Sequence, residues 1–122
     1  MFEHISHIDP RVVAFDAKGR ITDDDYKTTL IPALESAVEA NGKARALLRF
    51  GPEFEGYTAR AALDDAQFGL THLRDFEKIA VATDSGWIRN GMELFAHLST
   101  IPVRLFGANQ TDAALAWLTQ DT

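Results

Sequence analysis

Hydrophobic residues follow two patterns that alternate along this chain. Short runs rich in aliphatic and β-branched residues predict strands, and they lie around residues 12–15, 46–50, 79–82 and 103–106. Nearer the amino terminus, apolar and polar residues alternate on both sides of Asp9-Pro10, which predicts two strands joined by a turn.

Between the strands, apolar residues recur every three or four positions, which predicts helices. The first predicted helix covers residues 22–41 and ends at Asn41-Gly42. Thr22 and Asp25 have the spacing of a capping box at its start. Because proline cannot continue a regular helix, Pro32 should kink this helix or begin its second segment.

Three further helices are predicted over residues 56–76, 85–98 and 109–120. The last one carries a second capping-box pattern, at Asn109 and Asp112. The order ββαβαβαβα predicts a single α/β domain over residues 1–122. We expect an N-terminal β-hairpin, a mixed and mostly parallel sheet, and four helices.

Composition excludes several classes of function. The chain has no cysteine, which excludes disulfides, thiolate zinc sites and thiol catalysis. A net charge of −6 and scattered basic residues argue against nucleic acid as a partner. The same charge repels anionic lipids, so a peripheral membrane contact would have to be hydrophobic. With no transmembrane-length apolar run and no signal peptide, a cytoplasmic location is expected.

An acid–aromatic–histidine stripe lies on the helix predicted over residues 56–76. Asp64, Asp65, Phe68 and His72 share one face, but Asp65 and His72 are two turns, roughly 10 Å, apart. This distance is too long for general-base orientation or shared metal ligation. The stripe is either a solvated face with an exposed aromatic residue or the rim of a ligand or partner site, with Phe68 as the apolar contact.

The remaining polar candidates also lack a catalytic arrangement. Thr58 lies where the chain turns from a strand and loop into a predicted helix, and there a hydroxyl most simply caps the helix. Ser85 follows a strand and precedes a helix, but the G-x-S-x-G pattern of a nucleophile elbow is absent. No metal-ligand spacing, glycine-rich dinucleotide loop or P-loop occurs. We therefore predict a non-enzymatic protein without a cofactor or a metal.

The helix predicted over residues 85–98 carries more apolar surface than a core contact requires. Its apolar side chains and Gly91 fill an arc of roughly 160°, against about 100° for a surface helix. The arc contains Trp87, Ile88, Gly91, Met92, Leu94, Phe95 and Leu98. Two interpretations remain open, namely ordinary core packing or the wall of an apolar pocket or docking surface. The predicted ligand contacts are Trp87, Ile88, Met92 and Phe95, together with Phe68.

Three segments carry a recognisable combination of motifs: DDDYKTTLIPALESAVEANGKARALLRF, FEGYTARAALDDAQFGLTHLRDFEKIAVATDSGWI and ALAWL. Within them, F-x-G-[WY]-T is followed by a D-D pair and then by H-L-x-D-F-x-[KR]-I-A-V. Over nearly its whole length the chain closely resembles the SpoIIAA-like family of small bacterial proteins. That family resembles STAS domains, the fold of anti-sigma-factor antagonists, and has some likeness to lipid-binding CRAL-TRIO domains.

The resemblance implies a mixed sheet surrounded by helices, no established catalysis, and binding of a small apolar, lipid-like ligand with association to a membrane surface. Antagonist STAS domains carry a phosphorylatable serine at the start of their second helix. Here the corresponding segment is PEFEGYTARA, where Thr58 is the nearest hydroxyl. The expected partners are thus a small apolar molecule, or a protein partner or second copy if the chain is an interaction module switched at Thr58.

Overall fold

Five strands form one sheet whose spatial order follows the chain. They are β1 Phe2–His4, β2 Val12–Ile21, β3 Ala44–Tyr57, β4 Phe76–Thr83 and β5 Val103–Phe106. β1 is antiparallel to β2 and each later pair is parallel, which confirms the predicted hairpin and mostly parallel sheet. The architecture comes from a computed structural model that describes residues 1–58, 60–61 and 73–120.

The sheet is buried on both faces because its central strands are apolar at successive positions. Val13, Phe15 and Val81 point into one core, which also contains Leu34 and Ile88 from the helices. The opposite face has a second, smaller core that holds Val12, Ala14, Leu47, Ala80, Ala82, Phe106, Ala114 and Leu118. Helices therefore cover both faces of the sheet.

The first predicted helix consists of three consecutive segments. They are α1 Asp23–Asp25, a π-helical turn Tyr26–Leu30, and α2 Ile31–Asn41. The Tyr26 carbonyl accepts a hydrogen bond from the Ile31 N–H, so the turn widens just before Pro32. Pro32 accounts for the widening, because proline has no N–H and its ring clashes with the carbonyl four residues earlier in a regular helix. This is the irregularity that the sequence predicted.

Both ends of this helical region are as predicted. The Thr22 hydroxyl accepts from the Asp25 N–H at 3.3 Å, and the Asp25 carboxylate accepts from the Thr22 N–H at 2.8 Å, which completes the capping box. At the other end Gly42 adopts a φ of +86°, a conformation that glycine takes with little strain.

The later helices are α3 Gly86–Leu98 and α4 Thr111–Thr119. The predicted capping box at Asn109 and Asp112 is wrong, because α4 begins later, with Gln110 at the cap position and no side-chain cap. The Gln110 side chain instead accepts from the Gly107 N–H at 2.7 Å, which stabilises the turn before the helix.

The carboxyl end of α4 is attached to the sheet by two buried basic side chains. Arg45 on β3 donates to the carbonyls of Leu118 and Gln120, at 2.6 and 2.7 Å. Lys78 on β4 donates to the carbonyls of Trp117 and Gln120, at 3.0 and 2.8 Å. Because the last carbonyls of a helix lack partners within the helix, these contacts satisfy them and complement the negative end of its dipole.

The predicted boundary between β3 and the next helix needs a correction. β3 continues through Gly51 and Pro52 to Tyr57, so residues 51–57 belong to a strand and not to a loop or the start of a helix. Helical residues occur at Arg60 and Ala61, and Leu73–Asp75 forms a 3₁₀ turn before β4. Most of the predicted helix over residues 56–76 lies outside the described residues.

Candidate functional site

A crevice opens where β3 and β4 separate. The two strands pair in parallel as far as Phe50 and Thr83, the last matched positions. The buried Thr83 hydroxyl donates to the Phe50 carbonyl and accepts from the Ser85 N–H, each at 3.1 Å. Beyond this point β3 continues beside β2 alone, while the chain after β4 turns into α3.

The extension of β3 is bent by an irregular register. Phe50 pairs with Ala17, but the next matched pair is Gly19 with Phe54, so β3 has three intervening residues where β2 has one. The additional residues include Gly51 and Pro52, which suit a bulge because proline cannot donate to a regular ladder. The bulge bends β3 away from β4 and leaves space between them.

That space is a cavity of about 320 Å³, which we call the carboxyl-end cavity. It is lined by Phe50, Gly51, Pro52, Phe54, Glu55, Gly56, Asp84, Ser85, Trp87 and Ala108. The lining comes from β3, the start of α3 and the loop after β5. The cavity lies beyond the carboxyl ends of the paired parts of β3 and β4. It forms although the strand order β1-β2-β3-β4-β5 has no reversal, which is the usual origin of a ligand crevice in an open α/β sheet.

Phe50, Phe54 and Trp87 form an aromatic wall of the carboxyl-end cavity, and the Tyr57 ring contacts all three without lining the cavity. The ring centroids of Phe50 and Phe54 are 4.9 Å apart, and those of Phe54 and Tyr57 are 5.4 Å apart. Trp87 joins them, 6.2 Å from Phe54 and 6.4 Å from Tyr57. Since Phe50 is buried and Trp87 is 62% exposed, the wall runs from the core to the surface.

The polar lining of the cavity is acidic. The Asp84 carboxylate accepts from the Ala108 N–H at 3.2 Å, and Glu55 lies on the bent part of β3. Neither carboxylate forms an ion pair with a described residue. Arg49 is close to Gly51, but its guanidinium pairs with Asp16 at 2.9 Å and donates to the Ala108 carbonyl at 2.7 Å.

The structure separates the residues that the sequence grouped into one ligand site. Of the four predicted contacts that the structure describes, Trp87 alone lines the cavity. Ile88 is 7% exposed and belongs to the larger core, while Met92 and Phe95 are partly buried against that core. Phe68 lies outside the described residues, as does the rest of the predicted acid–aromatic–histidine stripe.

Thr58 has the capping geometry that the sequence predicts. Its hydroxyl accepts from the Ala61 N–H at 3.1 Å, and its own N–H donates to the Ile21 carbonyl at 2.9 Å. Ser85 occupies the cap position of α3 but makes no side-chain cap there. Its hydroxyl has no hydrogen bond with the described residues, so none of them is placed to activate it as a nucleophile.

The apolar arc of α3 does extend beyond the core contact, but of its predicted contact residues only Trp87 lies in the exposed part. Trp87 and Leu94 are each 62% exposed, and Leu98 is 73% exposed. With Gly91 they follow one another at helical spacing along the outer side of α3, and we call these four residues the outer stripe. Ile88, Met92 and Phe95 lie on the inner side.

Gly91 is expected to weaken α3 without a packing benefit among the described residues. A β-carbon at this position would meet nothing within 4 Å. We expect Gly91→Ala to raise the free energy of unfolding by about 1 kcal/mol, the difference in helix propensity, as measured by urea denaturation. Gly42→Ala is the control and should destabilise the protein, because a positive φ strains alanine. An unstable Gly91→Ala variant would show that the glycine has another role.

Comparison with known proteins agrees with this architecture. The sequence profile of the SpoIIAA-like family matches residues 12–119. The chain belongs to the SpoIIAA-like family. A solved structure, an uncharacterised DUF3478-family protein with a SpoIIAA-like fold from Shewanella loihica PV-4, is 27% identical, with a TM-score of 0.73. The match covers 97% of this chain and 92% of that one. None of the curated proteins matches the chain.

Sequence reasoning missed most of the cavity lining in this SpoIIAA-like chain. Phe54, Glu55 and Gly56 belong to the family motif F-x-G-[WY]-T, which does not by itself indicate a pocket, and Asp84 belongs to no recognised motif. One sequence signal was available for the aromatic wall, since Phe50 ends a predicted strand and Phe54 and Tyr57 follow it closely. The tandem Gly51-Pro52 obscured it by predicting a loop.

A second cavity, of about 390 Å³, lies between the N-terminal hairpin and α2. His4 and His7 line it, with ring centroids 5.5 Å apart. Both ring nitrogens of His7 are shielded from solvent and make no hydrogen bond of normal geometry with the described residues. Burial lowers the pKa of His7 from 6.5, and the neighbouring His4 lowers it further, against a smaller opposing effect of Asp9.

We expect the SpoIIAA-like domain to lose stability as the pH falls below about 6.5. The unfolded chain binds a proton at His7 near that pH, whereas the folded chain binds it only at lower pH, so acid favours unfolding across this interval. Denaturation at several pH values should show this slope, and His7→Gln should remove it. The Asp9 carboxyl, whose pKa is lowered to about 2 by its hydrogen bond with Arg11, titrates in a separate range. An unchanged slope in His7→Gln would contradict the assignment.

Two further observations limit the chemistry of the described part of the protein. Its carboxylate and imidazole side chains do not gather in groups of three or more, as ligands around a metal ion would. Within the same ranges, the helices are too short or too polar to span a lipid bilayer.

Proposed function

We propose that this SpoIIAA-like protein binds a small, largely apolar molecule in the carboxyl-end cavity and performs no catalysis on it. The observation that carries this proposal is the aromatic wall of Phe50, Phe54 and Trp87 where β3 and β4 separate, with the Tyr57 ring packed behind it. A concave site lined mainly by aromatic and other apolar groups, with a few polar ones, is typical of small-molecule binding sites. The volume is at the lower end of the range for small-molecule sites.

The wall offers apolar contact at low cost in conformational entropy. Aromatic side chains have few rotatable bonds, and Phe50 and Phe54 are held by contacts with each other and with the Tyr57 ring. Trp87 has an exposed ring that a ligand would cover. Burying such a ring removes apolar surface from water, which is the main source of affinity for an apolar ligand.

The absence of catalysis is part of the proposal and is supported by the hydroxyls near the cavity. The Thr58 hydroxyl is engaged in capping, and the Ser85 hydroxyl has no base within hydrogen-bond reach among the described residues. A serine nucleophile requires a neighbouring base and an orienting group. Turnover of a substrate that depended on Ser85 or His72 would contradict this part of the proposal.

The outer stripe favours a second function, association with a protein partner, with a second copy or with a membrane surface. Leu94 and Leu98 are strongly exposed on the same helix whose first turn lines the cavity. Such contiguous apolar surface is typical of interaction sites. Sedimentation and vesicle flotation of a Leu94→Ser, Leu98→Ser variant beside the unmodified protein test it, and identical behaviour would remove this second function.

Native mass spectrometry of protein isolated from its own cells tests the main proposal. We expect a co-purifying small molecule on the unmodified protein and loss of that mass in Trp87→Ala. Leu94→Ala is the matched control, because its side chain is as exposed as Trp87 and lies on the same helix but does not line the cavity. Retention of the mass in Trp87→Ala, or its loss in both variants, would place the ligand elsewhere.

A further inference from the structure

The loop that joins β1 to β2 holds an apolar side chain in water next to a histidine whose ring nitrogens are buried. Ile8 is fully exposed, whereas both ring nitrogens of the preceding residue, His7, are shielded from solvent. We propose that the two side chains exchange places when His7 binds a proton, so that the imidazolium moves into water and Ile8 enters the second cavity. The loop is thus a pH-sensitive switch, and it does not depend on the carboxyl-end cavity.

His7 is poorly placed to hold a proton at its present position. Neither ring nitrogen makes a hydrogen bond of normal geometry with the described residues, and the backbone of Asp9 offers only a weak contact. A protonated imidazole has an N–H donor at each nitrogen and carries a positive charge, so both donors would be poorly satisfied here. Protonation therefore favours an arrangement in which the ring reaches water.

The groups that surround the ring do not compensate a proton on His7. His4, on β1, faces it with ring centroids 5.5 Å apart, and a proton on His4 would repel one on His7. The Asp9 carboxylate is already paired with the Arg11 guanidinium at 2.6 Å. The residues of β2 and α2 that line the second cavity are all uncharged.

Ile8 benefits from the same movement, because it leaves water for apolar surroundings. The second cavity is lined mainly by apolar residues, among them Val12, Val13, Phe15, Ala33, Ala37 and Ala40. Its volume of about 390 Å³ exceeds that of the four-carbon side chain of isoleucine. His7 and Pro10, on either side of Ile8 in the chain, both line the cavity, so a local backbone rotation brings Ile8 to the same place.

The loop is fastened at its ends and free in its middle. The Ile5 N–H donates to a carbonyl of β2 at 2.9 Å, and the Pro10 carbonyl accepts from a side chain of α2 at 3.1 Å. The backbone of residues 6–8, between these two points, makes no hydrogen bond with the described residues. The exchange therefore breaks none of the hydrogen bonds that hold the hairpin.

NMR of ¹³C,¹⁵N-labelled protein tests the exchange, because it follows each imidazole and each methyl group separately. The pH is lowered from about 8 to about 5, across the range in which histidine titrates. We expect the His7 ring to titrate below its ordinary pKa of 6.5 while the domain stays folded. Over the same pH range the Ile8 methyl groups should gain nuclear Overhauser effects to Val13 and Ala37.

Ile8→Ser tests whether the two side chains are coupled. Serine gains little from an apolar cavity, so the exchange becomes less favourable and the pH at which His7 titrates should fall by about one to two units. Ile8→Leu is the matched control, because leucine keeps the apolar volume and should leave the titration nearly unchanged. Since Ile8 is fully exposed before the exchange, neither substitution removes a packing contact from the folded protein.

Three results would overturn the inference. His7 could titrate at the same pH in Ile8→Ser as in the unmodified protein, or without any contact between the Ile8 methyl groups and the cavity, and in either case the histidine reaches water on its own. The unmodified domain could also unfold in acid before His7 titrates, which would leave no folded form with the two side chains exchanged.

Discussion

Replacing Phe95 by alanine is expected to lower the free energy of unfolding by roughly 2–3 kcal/mol and to leave ligand affinity unchanged. Phe95 packs against the larger core from the inner side of α3 and does not line the carboxyl-end cavity. A fully buried phenylalanine would cost about 3–5 kcal/mol, and partial burial reduces this amount. Urea denaturation and a fluorescence titration with octanol, carried out on the same variant, measure the two quantities.

Phe95→Leu is the matched control for this substitution. Leucine keeps most of the apolar volume, so it should recover most of the lost stability. A variant with near-normal stability but much weaker octanol binding would instead make Phe95 part of the ligand site. That outcome would agree with the sequence prediction that Phe95 contacts the ligand.

Replacing Trp87 by alanine is expected to produce the opposite pair of effects. Affinity for octanol should fall roughly ten- to a hundredfold, because a ligand loses about 1.5–3 kcal/mol when a large apolar contact is removed. Stability should change little, since the side chain is already 62% exposed. Isothermal titration calorimetry measures the affinity of this variant, because the substitution removes Trp87, whose fluorescence would otherwise report binding.

Leu94→Ala again provides the control for Trp87→Ala. It removes an equally exposed apolar side chain from the outer stripe without altering the cavity. Equal loss of affinity in the two variants would mean that octanol binds along the outer side of α3 and not in the cavity.

The strands and the first helix could be predicted because their signals are local. Val13 and Phe15 face one core and Val12 and Ala14 the other, so a continuous apolar run marks a strand buried on both faces. The capping box at Thr22 depends only on residues three positions apart. Neither signal requires knowledge of distant parts of the chain.

The extension of β3 could not be predicted because it depends on a distant partner. Gly51 and Pro52 favour a turn locally, yet the strand continues because β2 offers pairing at Gly19 and Ile21 beyond the bulge. The cavity has the same origin, because it lies where β3 still pairs with β2 but no longer pairs with β4. Pairing between strands far apart in sequence therefore decides the site.

The sequence also could not predict which residues of the apolar arc of α3 are buried and which are exposed. Helical spacing correctly indicates surplus apolar surface, but the rotation of α3 against the sheet decides which residues it buries. Ile88, Met92 and Phe95 turn inward, whereas Leu94 and Leu98 stay exposed. The prediction for Asn109 is wrong for a related reason, because Gln110 forms the turn and takes the cap position of α4 in place of Asn109.

Chemical-shift mapping by NMR tests the central claim most directly, because it locates the bound ligand. Octanol is titrated into ¹⁵N-labelled protein, and the affected amides are assigned. The carboxyl-end cavity predicts the largest shifts at Gly51, Phe54, Ser85 and Trp87. Shifts concentrated at His4, Ser36 and Asn41, which line the second cavity, or confined to Leu94 and Leu98, would contradict it.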